Sequence, residues 1–137
     1  MIYIILLVVA IILLRFFFMG SQLTKSKVEE YAKNLDPIPS HQFAFIESTL
    51  SRISKQKYTC GRMMPNEIRD EDDFHFSFDL ATEALFIADR MREPEIVNLL
   101  AWFIVKYYAR YIIEYGNYSE KSVYLNNVKL LKFNGFL

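Results

Sequence analysis

Hydrophobic and polar positions fall into three patterns along this chain. The first has no periodicity. Ile2 to Leu14 carries no charged residue, Arg15 interrupts, and Phe16 to Met19 resumes the apolar run. About 18 helical residues at a rise of 1.5 Å span roughly 27 Å, close to the thickness of a bilayer core. Core helices of soluble domains rarely stay apolar on every side for so long. Residues 1–22 are therefore expected to form a transmembrane anchor, marked by Ile2, Leu14, Arg15, Phe16, Phe17 and Phe18. A cleavable signal peptide would carry basic residues before the run and small ones after it. Here no Lys or Arg precedes Ile2, and three phenylalanines stand where cleavage would need small side chains.

The second pattern is helical periodicity, and it fills residues 23–137. Ser26 and Glu29 match a capping box for a short helix through Leu35, which Asp36-Pro37-Ile38-Pro39 ends. Ser40 is the expected cap of a helix to about Lys57, with Phe43, Ile46, Leu50 and Ile53 on one face. Tyr58 to Phe76 lacks periodicity and reads mainly as a loop. Ser77 is the expected cap of a helix from Phe78 to Met91, with Phe78, Ala81, Leu85 and Ala88 along one side. A last helix is expected from about Ser119 toward Phe133. Strand-like alternation is scarce. The fold class expected is all-α: one transmembrane helix followed by a bundle-like domain of four to five helices.

The third pattern is the dense stretch NLLAWFIVKYYARYIIEY, residues 98–115. Glu93-Pro94-Glu95 opens this helix and Gly116 closes it, with one unbroken helix expected between them. It is apolar or aromatic in nearly every direction, while Asn98, Lys106, Arg110 and Glu114 fall four or eight apart on one polar stripe. Two basic residues in its middle make a second membrane span costly. It reads either as the core helix of the bundle or as an aromatic face for a partner. Trp102, Lys106, Tyr107, Arg110 and Tyr111 are its candidate partner-binding residues.

Charge sets orientation and narrows function. Arg15, Lys25, Lys27 and Lys33 all follow the apolar run. The excess of basic residues on that side places residues 23–137 in the cytoplasm, or the matrix or stromal equivalent, with the amino terminus outside. Two readings compete for Arg15: its side chain snorkels to the cytoplasmic head groups, or it pairs with a polar group of another membrane subunit. The whole chain has 16 basic and 16 acidic residues with no basic cluster, which argues against nucleic-acid binding. Hydrophobic residues form 53% of the chain, and those outside the anchor suffice for one domain core.

The acidic run Asp70, Glu71, Asp72 and Asp73, followed by His75, is the one concentration of charge. It reads as a solvated loop or a docking patch for a basic protein surface. A metal site would need a matching ligand set from another segment, and no second Glu-x-x-His motif exists. Cys60 is the only cysteine, which leaves no internal disulfide and no zinc motif. The four glycines are isolated, and no serine sits in a G-x-S-x-G context. No enzyme activity and no cofactor are expected. Two functional classes remain: a membrane-anchored interaction module (adaptor, assembly factor or immunity-type inhibitor) and a non-catalytic structural subunit of a larger membrane complex. The partners expected are the lipid bilayer and another protein.

Overall fold

Wherever the computed structural model describes the chain, at residues 2–10, 23–58 and 63–137, regular structure is helical. Helix α1 covers residues 2–10, and every residue in it is exposed. Six further helices follow: α2 (Lys25–Asn34), α3 (Ser40–Tyr58), α4 (Glu71–Arg90), α5 (Pro94–Tyr107), α6 (Ala109–Tyr115) and α7 (Tyr118–Phe133). A 3₁₀ turn, Pro65–Glu67, precedes α4. The expected all-α class holds among the described residues, where residues 23–137 show six helices rather than four or five. Leu14, Arg15, Phe16, Phe17, Phe18 and Cys60 lie outside the described residues.

The core is built around α5. Leu100, Ala101, Phe103, Ile104 and Val105 are all within 1% of complete burial. Helices α4, α7 and α2 pack around it, and α3 lies on α4. Ile46, Leu50 and Ile53 of α3 and Phe78, Ala81 and Ala88 of α4 are buried, as their spacing predicts.

The expected unbroken helix over 94–115 is corrected. It stops at Tyr107, and α6 leaves at 66° to α5. No glycine or proline causes the break. Tyr108, at the junction, has a fully buried ring whose Oη lies 2.7 Å from Ser77 Oγ and 3.1 Å from the Ser77 carbonyl. The Val105 carbonyl, which a continuous helix would give to the Ala109 amide, accepts from Tyr124 Oη at 2.7 Å. Two buried hydroxyls thus satisfy their own needs at the bend. Burial pushes both phenols well above their ordinary pKa range.

The helix starts also differ from expectation. Thr24, not Ser26, caps α2, accepting from the Lys27 amide at 3.3 Å. Ser40 is the first residue inside α3, and the Pro39 carbonyl takes the Phe43 amide. Helix α4 starts seven residues before Phe78, with Asp70 as its cap. Ser77 is not a cap. It is buried in mid-helix and donates to the Met63 carbonyl at 2.8 Å, fastening the segment before α4 to its side.

Between α4 and α5 the chain turns through Arg92, at φ 56°. The Glu93 amide bonds the Ala88 carbonyl and the Arg92 amide that of Asp89, which closes α4 in a left-handed cap usually made by glycine. Gly116 ends α6 as expected. A Cβ there would lie 2.3 Å from the Ile112 carbonyl oxygen, so the close approach requires glycine.

No single helix among the described residues is long and apolar enough to cross a membrane. The bent α5–α6 pair is, by length and composition, but α5 is buried within the domain.

Candidate acidic, tyrosine-bearing interface

The acidic run is a helix terminus, not a loop. Asp70 accepts from the Asp73 amide at 2.8 Å, and Glu71, Asp72 and Asp73 occupy the first turn of α4. Carboxylates there satisfy free amides and meet the positive end of the helix dipole. That stabilisation overrides the mutual repulsion that makes such a run read as a solvated loop.

Three of the four carboxylates have local work. Besides capping by Asp70, Asp73 accepts from the Arg69 amide at 3.0 Å and lies 3.7 Å from the Arg69 guanidinium. Glu71 Oε1 is 3.2 Å from His75 Nε2. Asp72 is exposed and has no hydrogen bond or ion pair among the described residues.

His75 ties this end of α4 to α7. Its Nδ1 lies 2.7 Å from Glu120 Oε2. Glu120 is 6% exposed and also accepts from the Asn117 amide at 2.9 Å, completing a capping box at the start of α7. With a carboxylate on each ring nitrogen, the protonated imidazole is favoured. The Glu120 hydrogen bond is the chief cause of a raised His75 pKa, opposed by desolvation and helped by Glu71. The carboxylates lie on opposite sides of the ring, so the three groups do not converge on a common point. Among the described residues no group of three or more His, Cys, Asp or Glu side chains is placed to hold a metal ion.

The candidate residues of the aromatic stretch divide between two places. Trp102, Lys106 and Tyr107 face the α2–α3 connection. Trp102 Nε1 donates to the Asp36 carbonyl at 2.8 Å, and the Ile38 amide donates to Tyr107 Oη at 3.1 Å. Lys106 Nζ donates to the Ala32 and Leu35 carbonyls at 2.9 and 2.8 Å, a cationic cap on the C-terminus of α2. Lys106, Arg110 and Glu114 do share one side, as their spacing predicts, and line a cleft of about 670 Å³ with Lys25 and Glu29 of α2. Asn98 lies apart and accepts from Asn134 Nδ2 at 2.7 Å.

Tyr111 belongs to the other place. Its ring stacks on Tyr115, with centroids 6.3 Å apart and planes 14° apart, and the Arg110 guanidinium lies 5.5 Å from it. Tyr115 also contacts Phe74 of α4 at 6.2 Å. Partial desolvation raises the Tyr115 pKa, and the negative charges of Glu114 and Asp70 add to it. The start of α4 and the end of α6 therefore adjoin, with the Asp70 cap and Glu114 acting on Tyr115 of the stacked pair. The sequence marked the acidic run and Tyr111 separately. It missed Tyr115, which the bend at Tyr108 brings against Phe74, and Glu120, which pairs with His75.

Comparison of the chain with protein-family models, curated proteins and solved structures finds no match.

Proposed function

We propose that this chain is a single-pass, membrane-anchored protein-interaction module whose acidic, tyrosine-bearing end docks a basic protein surface. The observation that carries the docking reading is the packing of the end of α6 on the start of α4, where Tyr115 lies against Phe74, stacks on Tyr111 and feels the charge of Asp70. Tyrosines offer apolar area with a polar tip, and carboxylates steer a cationic partner. Asp72 has no partner among the described residues, which supports the same reading. For the anchor, the support is α1: Ile2 to Val9 are exposed, and all but the Tyr3 hydroxyl is apolar among their side chains. The basic residues Arg15, Lys25, Lys27 and Lys33 support a cytoplasmic domain and an outward amino terminus.

A second reading, a structural subunit of a larger membrane complex, draws on scattered apolar exposure. Phe133 is 89% exposed and Met91 65%, and neither is covered by this chain.

The deciding experiment is mild-detergent affinity purification with mass spectrometry, run with the wild type and with Asp70→Asn, Glu71→Gln, Asp72→Asn and Asp73→Asn combined. Asparagine retains capping at position 70. The docking reading expects a basic partner at low salt whose association slows in the variant. An unchanged association would remove the acidic end from function. Aggregation of residues 23–137 alone would favour the subunit.

A further inference from the structure

The cleft between α2 and the α5–α6 bend is lined by five charged side chains, and no two of them form an ion pair. Lys25 and Glu29 come from α2, Lys106 from α5, and Arg110 and Glu114 from α6. Lys25 and Glu29 are four residues apart, as are Arg110 and Glu114, a spacing at which opposite charges commonly pair on a helix. Neither pair closes among the described residues. Arg110 instead lies over the Tyr111 ring, and Glu114 acts on Tyr115. Lys106 gives two donors to the Ala32 and Leu35 carbonyls, and its third is uncommitted among the described residues. The cleft, of about 670 Å³, has room for a small polar molecule.

The mixture of charges selects the occupant. A simple anion would meet two carboxylates, and a simple cation three basic groups. A zwitterion satisfies both sets. An arginine beside a lysine suits a phosphate, which the guanidinium can take in a bidentate pair. Glu29 and Glu114 suit an ammonium that donates hydrogen bonds. A quaternary ammonium has no N–H to give and favours an aromatic cage. The remaining lining, Ala32, Ala109 and Ile113, is aliphatic, so a primary ammonium fits better. Position narrows the choice further. Lys25 follows Gly20, the end of the apolar run, by five residues, and five extended residues reach at most about 18 Å. On the anchor reading, which this inference needs for its lipid, Lys25 therefore stays within that distance of the membrane. We propose that this cleft binds the phosphoethanolamine head group of a membrane lipid, with Lys106 and Arg110 on the phosphate and Glu29 and Glu114 on the ammonium.

The test titrates glycerophosphoethanolamine, and separately glycerophosphocholine, into the full chain in maltoside micelles, following amide signals by NMR. Saturable shifts centred on α2 and α6 are expected for the ethanolamine compound, with an affinity on the order of millimolar for so small a probe. The choline compound should bind roughly threefold more weakly, the scale of an exposed ion pair. Arg110→Gln should weaken both compounds by roughly the same factor. Glu29→Gln with Glu114→Gln should abolish the preference for ethanolamine. All three side chains are exposed, so the unfolding temperature should not move. Absence of saturable shifts, or equal affinity for the two compounds in the wild type, overturns the assignment. The lipid arm is native mass spectrometry of the chain released from nanodiscs of phosphatidylethanolamine and phosphatidylcholine in equal parts. Retained phosphatidylethanolamine, reduced in Arg110→Gln, supports the lipid source. Binding of the soluble compound with neither lipid retained overturns that source. If the full chain leaves alkaline-washed membranes yet binds glycerophosphoethanolamine, the anchor falls and the cleft stands. If it stays in the membrane and binds neither compound, the cleft falls and the anchor stands.

Discussion

Two stretches of this chain are almost equally apolar, and the protein treats them oppositely. In α5, Leu100 to Val105 is wrapped by α2, α4 and α7, with only Trp102 partly exposed. In α1, Ile2 is 72% exposed, Leu7 62% and Val9 46%. Apolarity sets the need for cover, not its source. The polar residues of α5 reveal its source. Lys106 reaches the carbonyls of α2, and Trp102 and Tyr107 hold the turn that follows. In α1 no residue from 2 to 10 carries a charge, and only the Tyr3 hydroxyl is polar among its side chains. A helix bare of handles for its own domain fits a lipid covering.

The widest separation between the two stretches is expected in core truncation. Phe103→Ala should lower domain stability by about 3–5 kcal/mol, because the ring is fully buried and a cavity remains. Leu7→Ala should leave the same urea transition within about 0.5 kcal/mol. Comparable losses in both would mean that α1 packs on the domain and would erase the contrast.

Next in size is Lys106→Met, which keeps most of the apolar stem and removes the donor. It should cost about 1–3 kcal/mol, since the Ala32 and Leu35 carbonyls lose their cation. A silent substitution would show that α2 is held by its apolar contacts alone.

A smaller effect concerns pH. The folded-state pKa of His75 is raised above its ordinary 6.5, first by Glu120. Its contribution is therefore fully present below the unfolded value and is lost as pH rises through the folded one. Stability should decline over a window beginning near pH 6.5, by less than about 1 kcal/mol because the ring is partly exposed. His75→Gln should flatten that part of a pH series of unfolding curves. A slope retained in the variant would assign it to another group.

The smallest effect is expected at Arg15. If its side chain snorkels, Arg15→Lys should insert and co-purify with partners as the wild type does. Loss of a partner with insertion intact would instead place a bidentate pairing inside the membrane.

Most of the architecture was legible because it follows from spacing. Ile46, Leu50 and Ile53, or Phe78, Ala81 and Ala88, lie on one side of a helix whatever their surroundings. The starts and the bend were less legible because they depend on choices between neighbours. Thr24 and Ser26 are both capable caps, and the fold uses the earlier. Asp70 caps a helix that a charge run concealed. The break at Tyr108 carries no glycine or proline and depends on Tyr124 and Ser77, 16 and 31 residues away in sequence. Of the candidate interface, the carboxylates were visible one by one. The approach of Asp70 to Tyr115 was not, since the bend creates it.

The central claim is that α1 and the domain are covered by different media. The direct measurement is alkaline extraction of membranes from cells expressing either the full chain or residues 23–137, with the unfolding transition of the released domain recorded. The full chain should stay in the membrane pellet, and residues 23–137 should be released as a monomer that unfolds cooperatively. Release of the full chain into the soluble fraction, or failure of residues 23–137 to fold without the first segment, would contradict the account.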